Sequence, residues 1–403
     1  MNRQILAWCL YDFANSSYSA VIAAVIFPVY YTGVIVGNET GQGDLWWGRA
    51  IALSMAFVAI TSPFLGGIAD YARIRKRFLI LYTLLCVTAV SGLAFLRQGM
   101  VAEGFCLIVL ANIGLEGGLV FYNSFLPEIA PRTYVGRVSA WGYGIGYAGS
   151  IVSLAVALAL IQHKLLSATW IMVALFFALF SFPAFLSLPR DQRGNAPIVS
   201  AAAQGLVSTW RRLREILSQR EQRTFLVAYL IYSDGINTII VFSSIFASRT
   251  LGFSTEELVW LYITVQATAL LGAFLVARTI DYGGPKRVVS MTLGLWSLVS
   301  AATYFVEGKS AFFGIASIAG LGLGSIQAAS RAFYAQFIPE GEESEYFGVY
   351  SLVGKSSAIL GPLLFGQLSA TLGSQRPAIL SVLAFFLAGF LVIRTVRGGA
   401  PNV

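Results

Sequence analysis

Apolar residues in this chain gather into long uninterrupted blocks rather than alternating with polar ones. Seven stretches carry no charged side chain at all: 50–69, 78–96, 138–163, 165–189, 258–277, 288–306 and 377–393. Five more, 4–38, 104–127, 224–248, 310–339 and 346–375, are as long and carry one charge each. A helix needs about 20 residues to cross a hydrocarbon core about 30 Å thick, and each block approaches or exceeds that length. Numbered one to twelve in chain order, these segments predict an all-α membrane protein with twelve transmembrane helices. They consume most of the chain, so the connections are short and no soluble domain is expected. Composition agrees, since 57% of the 403 residues are hydrophobic and only 11% charged, against about 25% charged in a soluble protein.

A net charge of +8 would suggest nucleic acid in a soluble protein, but its distribution points elsewhere. With the N-terminus placed inside, nineteen of the 27 Lys and Arg residues fall at inner ends and five at outer ends. The positive-inside rule therefore puts both termini in the cytoplasm. The opening MNRQILAWCLYDFANSS reads as part of a span and not as a cleaved leader, because Asp12 interrupts the apolar run and the run is long. Trp46 and Trp47, just before segment two, suit an outer aromatic belt. Cys9, Cys86 and Cys106 lie in three different segments without CxxC spacing and read as small apolar core residues. A single histidine, His163, makes haem or His-based metal chemistry improbable, and no cofactor is expected.

The longest polar interruption, 190–222, divides the chain into an N-terminal bundle, 1–189, and a C-terminal bundle, 223–403. Within it Leu206, Trp210, Leu213 and Leu217 recur at helical spacing while Arg211, Arg212 and Arg214 take another face. That pattern fits a helix lying on an anionic inner leaflet, and it fits a solvated linker equally well. The two bundles are copies. Residues 121–149 align without a gap onto 333–361, with ten identities in twenty-nine positions. Asp12-x-x-Asn15-Ser16 in segment one recurs as Asp234-x-x-Asn237-Thr238 in segment seven, and Asp70-Tyr71 recurs as Asp281-Tyr282. Two parallel six-helix repeats are an architecture of alternating-access carriers.

These features resemble the major facilitator superfamily. Gly66-Gly67-Ile68-Ala69-Asp70 followed by Arg75-Lys76-Arg77 is similar to that superfamily's loop motif G-x-L-A-D-R-x-G-R-R/K. It departs in Tyr71 where Arg is usual, in Arg73 where Gly is usual, and in one extra residue before the basic run. The opening Tyr11-Asp12-Phe13-Ala14-Asn15-Ser16-Ser17-Tyr18, with Phe27-Pro28 beyond it, resembles the vacuole-effluxer-like branch, which includes an autophagy-related amino-acid exporter of the fungal vacuole. The resemblance implies the major facilitator fold, a small-molecule substrate and a rocking of two halves. It also implies that segments one, four, seven and ten line the pathway, and that the loops holding Asp70, Arg73, Arg75, Lys76, Arg77 and Asp281, Lys286, Arg287 act as gates. The superfamily's antiporter signature wants Gly-Pro in segment five. Here Gly149-Ser150 stands there, and Gly361-Pro362 appears in segment eleven, so the direction of transport is open.

Charge inside a bilayer is costly and rarely kept without a reason. Segments one, four, seven and ten carry Asp12, Glu116, Asp234 and Arg331, and of the others only segment eleven carries one, Lys355. Helical spacing adds polar neighbours on the same faces: Asn15 and Ser16 beside Asp12, Asn112 and Asn123 beside Glu116, Asn237 beside Asp234, Gln327 beside Arg331. A buried Asp can also serve as a cap or a structural partner, and the matched Asp12 and Asp234 fit that role too. Glu116 and Arg331 break the repeat symmetry, their counterparts being Ala328 and Leu119, which favours ligand or proton handling. Three acids against two bases leave one carboxylate over, and Glu116 is the expected proton carrier. The substrate-binding set is Asp12, Asn15, Asn112, Asp234, Asn237, Gln327, Arg331 and Lys355. A guanidinium suits a carboxylate and an acid suits an ammonium, so the set suits an amino acid or a related zwitterion.

The expectation is a monomeric secondary transporter of a prokaryotic inner membrane, in contact with lipid, possessing no nucleic-acid partner and no enzymatic activity. An exporter of amphipathic or lipid-like molecules is an alternative against which the five buried charges count. A membrane enzyme would need a paired-His, Ser–His or metal constellation in one layer. A non-transporting sensor is disfavoured by intact copies of both loop motifs.

Overall fold

A computed structural model describes residues 2–71, 74–129, 135–191, 210, 213–337 and 343–396. All regular structure among the described residues is helical. Ten helices among them are long and apolar enough to cross a membrane, matching segments one to seven, nine, ten and twelve. Segment eight forms the helix Thr255–Gly283, 29 residues long, begun by a capping box in which Ser254 and Glu257 exchange hydrogen bonds. Segment eleven is two helices, Glu343–Ser356 and Leu360–Leu372.

The chain divides into two compact units: Met1–Tyr31 with Leu53–Arg212, and Thr32–Ala52 with Leu213–Val403. In the first, segment one packs on segments five and six, segment three on segments four and six. In the second, segment seven packs on segments eleven and twelve, segment nine on segments ten and twelve. The pairings are thus repeated, as two copies of one helical unit require. Glycines bring the closest pairs together. A Cβ on Gly149 would overlap the Phe13 carbonyl, fixing segments one and five at backbone contact, and one on Gly272 would overlap the Leu321 carbonyl between segments eight and ten.

Segment one is a single helical run, Arg3–Val36, with π-helical turns over Tyr18–Val25 and Tyr31–Val36. Pro28 lies between them and has no N–H to give the turn before it, so the chain widens locally, as where the Ile26 N–H reaches back to the Val21 carbonyl.

The stretch Thr32–Ala52 lies inside the first bundle by sequence, yet it packs with the second unit. A Cβ on Gly41 would sit 2.7 Å from Ala370 Cα, and one on Gly48 2.5 Å from the Pro362 carbonyl oxygen. Trp47 is fully buried there and donates from Nε1 to the Val241 carbonyl at 3.2 Å, so it is a core residue and not part of an aromatic belt. Cys9 and Cys86 are buried, but Cys106 is exposed and does not join the core. Of the 190–222 stretch, Leu206, Arg211 and Arg212 fall outside the described residues; Trp210 and Leu217 are exposed and Ile216 is buried.

Candidate functional site

Within the first unit, Asp12 sits one helical turn before Asn15 and Ser16, so all three share a face. Asp12 is half-buried, and its Oδ1 accepts from Asn15 Nδ2 at 3.1 Å. The same amide donates to the Tyr11 carbonyl at 3.1 Å, and Ser16 Oγ donates to the Asp12 carbonyl at 2.7 Å. Segment five meets this face with glycines: a Cβ on Gly142 would lie 3.3 Å from Asp12 Oδ2 and one on Gly146 3.0 Å from Ser16 Oγ. Small residues leave room beside the carboxylate.

Glu116 is half-buried on segment four. Asn112, one turn earlier, is buried and donates to Ser54 Oγ at 2.6 Å, bracing segment four to segment two. Asn123 is exposed. Further along segment four comes an aromatic stack: Tyr122 pairs with Trp8 at a centroid distance of 4.5 Å and with Tyr11 at 5.0 Å, while the Trp8 indole donates to the Tyr122 carbonyl at 3.0 Å.

The second unit repeats the plan with one change. Thr238 Oγ1 donates to the Asp234 carbonyl at 2.7 Å, as Ser16 does to Asp12. Each unit also buries a tyrosine hydroxyl pair, on different helices: Tyr11 of segment one bonds Thr83 of segment three at 2.8 Å, and Tyr232 of segment seven bonds Ser330 of segment ten at 2.7 Å. Asp234, however, is 3% exposed and accepts the Gly361 backbone N–H at 2.7 Å. Gly361 lies in the first turn of Leu360–Leu372, the second half of segment eleven. The break before it follows from Pro362, which has no N–H for the Ala358 carbonyl four residues back. Ser150 occupies the matching place in segment five, keeps its N–H, and that helix runs unbroken from Val135 to Gln162.

Asn237 is half-buried and donates to Ser357 Oγ in the break at 3.1 Å. Lys355 stands in the last turn of Glu343–Ser356, where a cation is favoured by the carbonyl end of the helix. Arg331 is half-buried on segment ten and Gln327, one turn away, is exposed. Tyr229, Tyr334 and Tyr350 form a stack in the same unit, at 4.3 Å for Tyr229 to Tyr350 and 5.1 Å for Tyr334 to Tyr350.

The expected gating residues separate. The Asp70 and Asp281 side chains and all of Arg73 lie outside the described residues. Lys76 Nζ donates to the Leu188 carbonyl at 2.9 Å, and Asp191 accepts the backbone N–H groups of Lys76 at 2.9 Å and Arg77 at 3.0 Å. Lys286 Nζ likewise donates to the carbonyls of Arg394, at 3.0 Å, and Val396. Each lysine therefore ties the start of one helix to the end of another within its own half, where the exposed carbonyls welcome a cation. Arg75 pairs with Glu128 at 3.6 Å and Arg287 is exposed.

Sequence reasoning missed a buried carboxylate, Asp44. Its side chain is fully buried and accepts from Arg249 Nη1 at 3.1 Å, Gln375 Nε2 at 2.9 Å, Asn38 Nδ2 at 2.6 Å and Ser369 Oγ. Arg249 also donates to the Glu39 carbonyl at 3.1 Å. Nothing in the polar stretch 38–44 sets this Asp apart from a solvated loop residue; its partners are 205 to 331 positions away, Asn38 excepted.

Repeated helical units with charge buried on matched helices define a membrane transporter of the major facilitator type. The structure superimposes on a crystal structure of the nucleoside transporter NupG with a TM-score of 0.71 at 13% identity, covering 98% of this chain and 99% of that one. The chain belongs to the family described as vacuole effluxer Atg22 like, whose model matches residues 49–398. It is 29% identical to the uncharacterized MFS-type transporter YxiO of Bacillus subtilis (strain 168), over 98% of this chain and 95% of that protein. It is also 26% identical to autophagy-related protein 22-1 of Neosartorya fischeri, over 65% of this chain; the match spans about half, 48%, of that longer protein.

Proposed function

We propose that this transporter crosses a prokaryotic plasma membrane twelve times with both termini in the cytoplasm, and exports an amino acid or related zwitterion by proton-coupled alternating access, as a monomer. The observation that carries the reading is the placement of intramembrane charge: apart from Lys355, it falls on segments one, four, seven and ten, the first helix of each three-helix unit. Arg331 receives the solute carboxylate through its planar pair of donors. Asp12, with Asn15 beside it, receives the ammonium, and Asn112, Asp234, Asn237, Gln327 and Lys355 complete the polar lining. Glu116 carries the proton. The loops with Asp70, Arg73, Arg75, Lys76, Arg77, Asp281, Lys286 and Arg287 gate the inner ends, Lys76 tying segment three to the end of segment six and Lys286 segment nine to the end of segment twelve. The family description, an effluxer, supports export; the superimposition on transporters supports alternating access.

The test is efflux of a labelled amino-acid mixture from liposomes containing the full chain, with and without an imposed pH gradient. Gradient-dependent efflux is expected from the natural protein. Glu116→Gln should abolish the gradient dependence yet spare exchange of solute across the membrane. No movement by folded protein would discard the amino-acid assignment, and unchanged gradient dependence in Glu116→Gln would discard the proton role of that residue.

A further inference from the structure

We infer that Asp234 is a second proton-binding group, and that its charge anchors the start of the half-helix that follows the Pro362 break in segment eleven. This deepens the proton-coupled transport reading and rests on it for its purpose, though not for its chemistry. The carboxylate is 3% exposed and its Oδ1 sits 2.7 Å from the Gly361 N–H, at the start of a 13-residue helix. A helix start carries partial positive charge, so the anion is favoured there and the neutral acid much less so. Gly361 makes the approach possible, because a Cβ at that position would lie 2.7 Å from the same Oδ1 and collide with Thr238 Oγ1.

Among the described residues, this carboxylate makes no ion pair. On its own helix Tyr232 is bonded to Ser330 and Tyr229 stacks on Tyr350. Segment twelve presents Phe385 and Phe386 to the adjacent Gly235. Leu360–Leu372 has no ionisable side chain, and the first half of segment eleven carries Glu343, Glu345, Tyr346, Tyr350 and Lys355. Segment ten carries Lys309, Arg331 and Tyr334, and segment eight carries Glu256, Glu257, Tyr262, Arg278, Asp281 and Tyr282. Among the described residues none of these cations lies within ion-pair distance of Asp234, whose side chain is bonded to one backbone amide. A buried acid with one amide partner is poised to take up a proton when water reaches it.

Protonation then removes the charge that the half-helix attracts. The neutral carboxyl still accepts the amide but without charge assistance, so the Gly361 contact weakens and the start of Leu360–Leu372 is freed, while the break set by Pro362 remains with Asn237 and Lys355 on its edge. Asp12 is not built this way, because segment five has no break and offers it no helix start.

Hydrogen exchange read by mass spectrometry on the full chain in liposomes, across a pH series and corrected for intrinsic exchange, tests this on residues 360–366. In the natural protein, protection should fall about ten- to hundredfold as pH drops, the loss of one charge-assisted hydrogen bond. Asp234→Asn should show the low protection at every pH. Pro362→Ala restores the missing donor and should stay protected throughout, which keeps the test open if Asp234→Asn does not fold. Protection that ignores pH in the natural protein, or a pH response surviving in either variant, would overturn the inference. Glu116→Gln should keep the response. If efflux shows no gradient dependence while the protection change persists, the coupled-transport reading falls and the proton site at Asp234 stands.

Discussion

Asp44→Ala should be among the most destabilising single changes in this protein. The substitution removes an acceptor that four donors share: Arg249, Gln375, Asn38 and Ser369. Removing one partner of a buried ion pair costs about 3–5 kcal/mol, because the other charge is left without compensation. Two effects adjust that figure. The Arg249 side chain is 22% exposed and can turn toward water, returning part of the loss. Gln375 is 2% exposed and Asn38 8%, so their orphaned amides have no such escape and each adds about 1–3 kcal/mol where water does not enter. The two adjustments oppose each other, and about 3–5 kcal/mol remains the expectation. If it falls on the unfolding step, detergent-solubilised protein should unfold about a hundred- to a few thousandfold faster.

Trp47 supplies the local readout. It lies one turn beyond Asp44, is fully buried, and should become open to an aqueous quencher before the bulk of the protein unfolds. Asp44→Asn keeps the shape and most acceptor capacity but points an N–H₂ at one donor, so an intermediate loss is expected. A double-mutant cycle with Arg249→Ala should show strong coupling, since the two side chains share the 3.1 Å contact. An Asp44→Ala protein whose stability stays within about 0.5 kcal/mol of the natural one, the range of ordinary surface changes, would refute the reasoning.

Other outcomes follow from the same kind of contact. Gly149→Ala and Gly272→Ala should each cost about 1–3 kcal/mol by forcing helix backbones apart, whereas Gly144→Ala, with nothing within 4 Å of the new Cβ, should be close to neutral; thermal unfolding in detergent compares the three. Lys286→Met should cost about 0.3–2 kcal/mol by leaving the Arg394 and Val396 carbonyls without their cation, with Lys286→Arg losing less in the same assay. Tyr11→Phe and Tyr232→Phe should each cost about 1 kcal/mol in that assay, since each removes one buried hydroxyl pair.

The helices were legible because a bilayer imposes length and apolarity on any segment that crosses it, and neither needs tertiary information to recognise. The internal repeat was legible for a similar reason, and its residues predict the recurring pairs of Asp12 with Ser16 and Asp234 with Thr238 before any contact is seen. Asp44 and Trp47 were not legible. A polar residue in a short connection reads as solvated, and only the packing of 32–52 into the second unit reverses that. The role of Lys76 was half legible: a basic cluster at a helix start is visible in sequence, but its Leu188 acceptor is 112 positions away. Asn112 was half legible too: its place one turn from Glu116 is visible in sequence, but its bond to Ser54 involves a partner no periodicity can name.

Pro362 shows how a repeat acquires direction. Two copies of one helical unit carry equivalent acids, Asp12 and Asp234, each beside glycines of the neighbouring segment. Symmetry of that kind gives both acids the same neighbours and therefore the same work. Removing a single backbone donor, by placing Pro362 where the other copy has Ser150, breaks one helix and leaves the other whole. One carboxylate then faces the positive start of a half-helix, while its twin stays among side chains, bonded to Asn15. The difference is electrostatic and local, yet it lies on the helix that also carries Lys355, so a change of charge at Asp234 acts on a segment holding a second intramembrane charge. An intramembrane acid earns its desolvation cost only by doing something a neutral residue cannot. For Asp12 the proposed work is receiving the solute ammonium; for Asp234 it is anchoring the half-helix beyond Pro362 until a proton arrives.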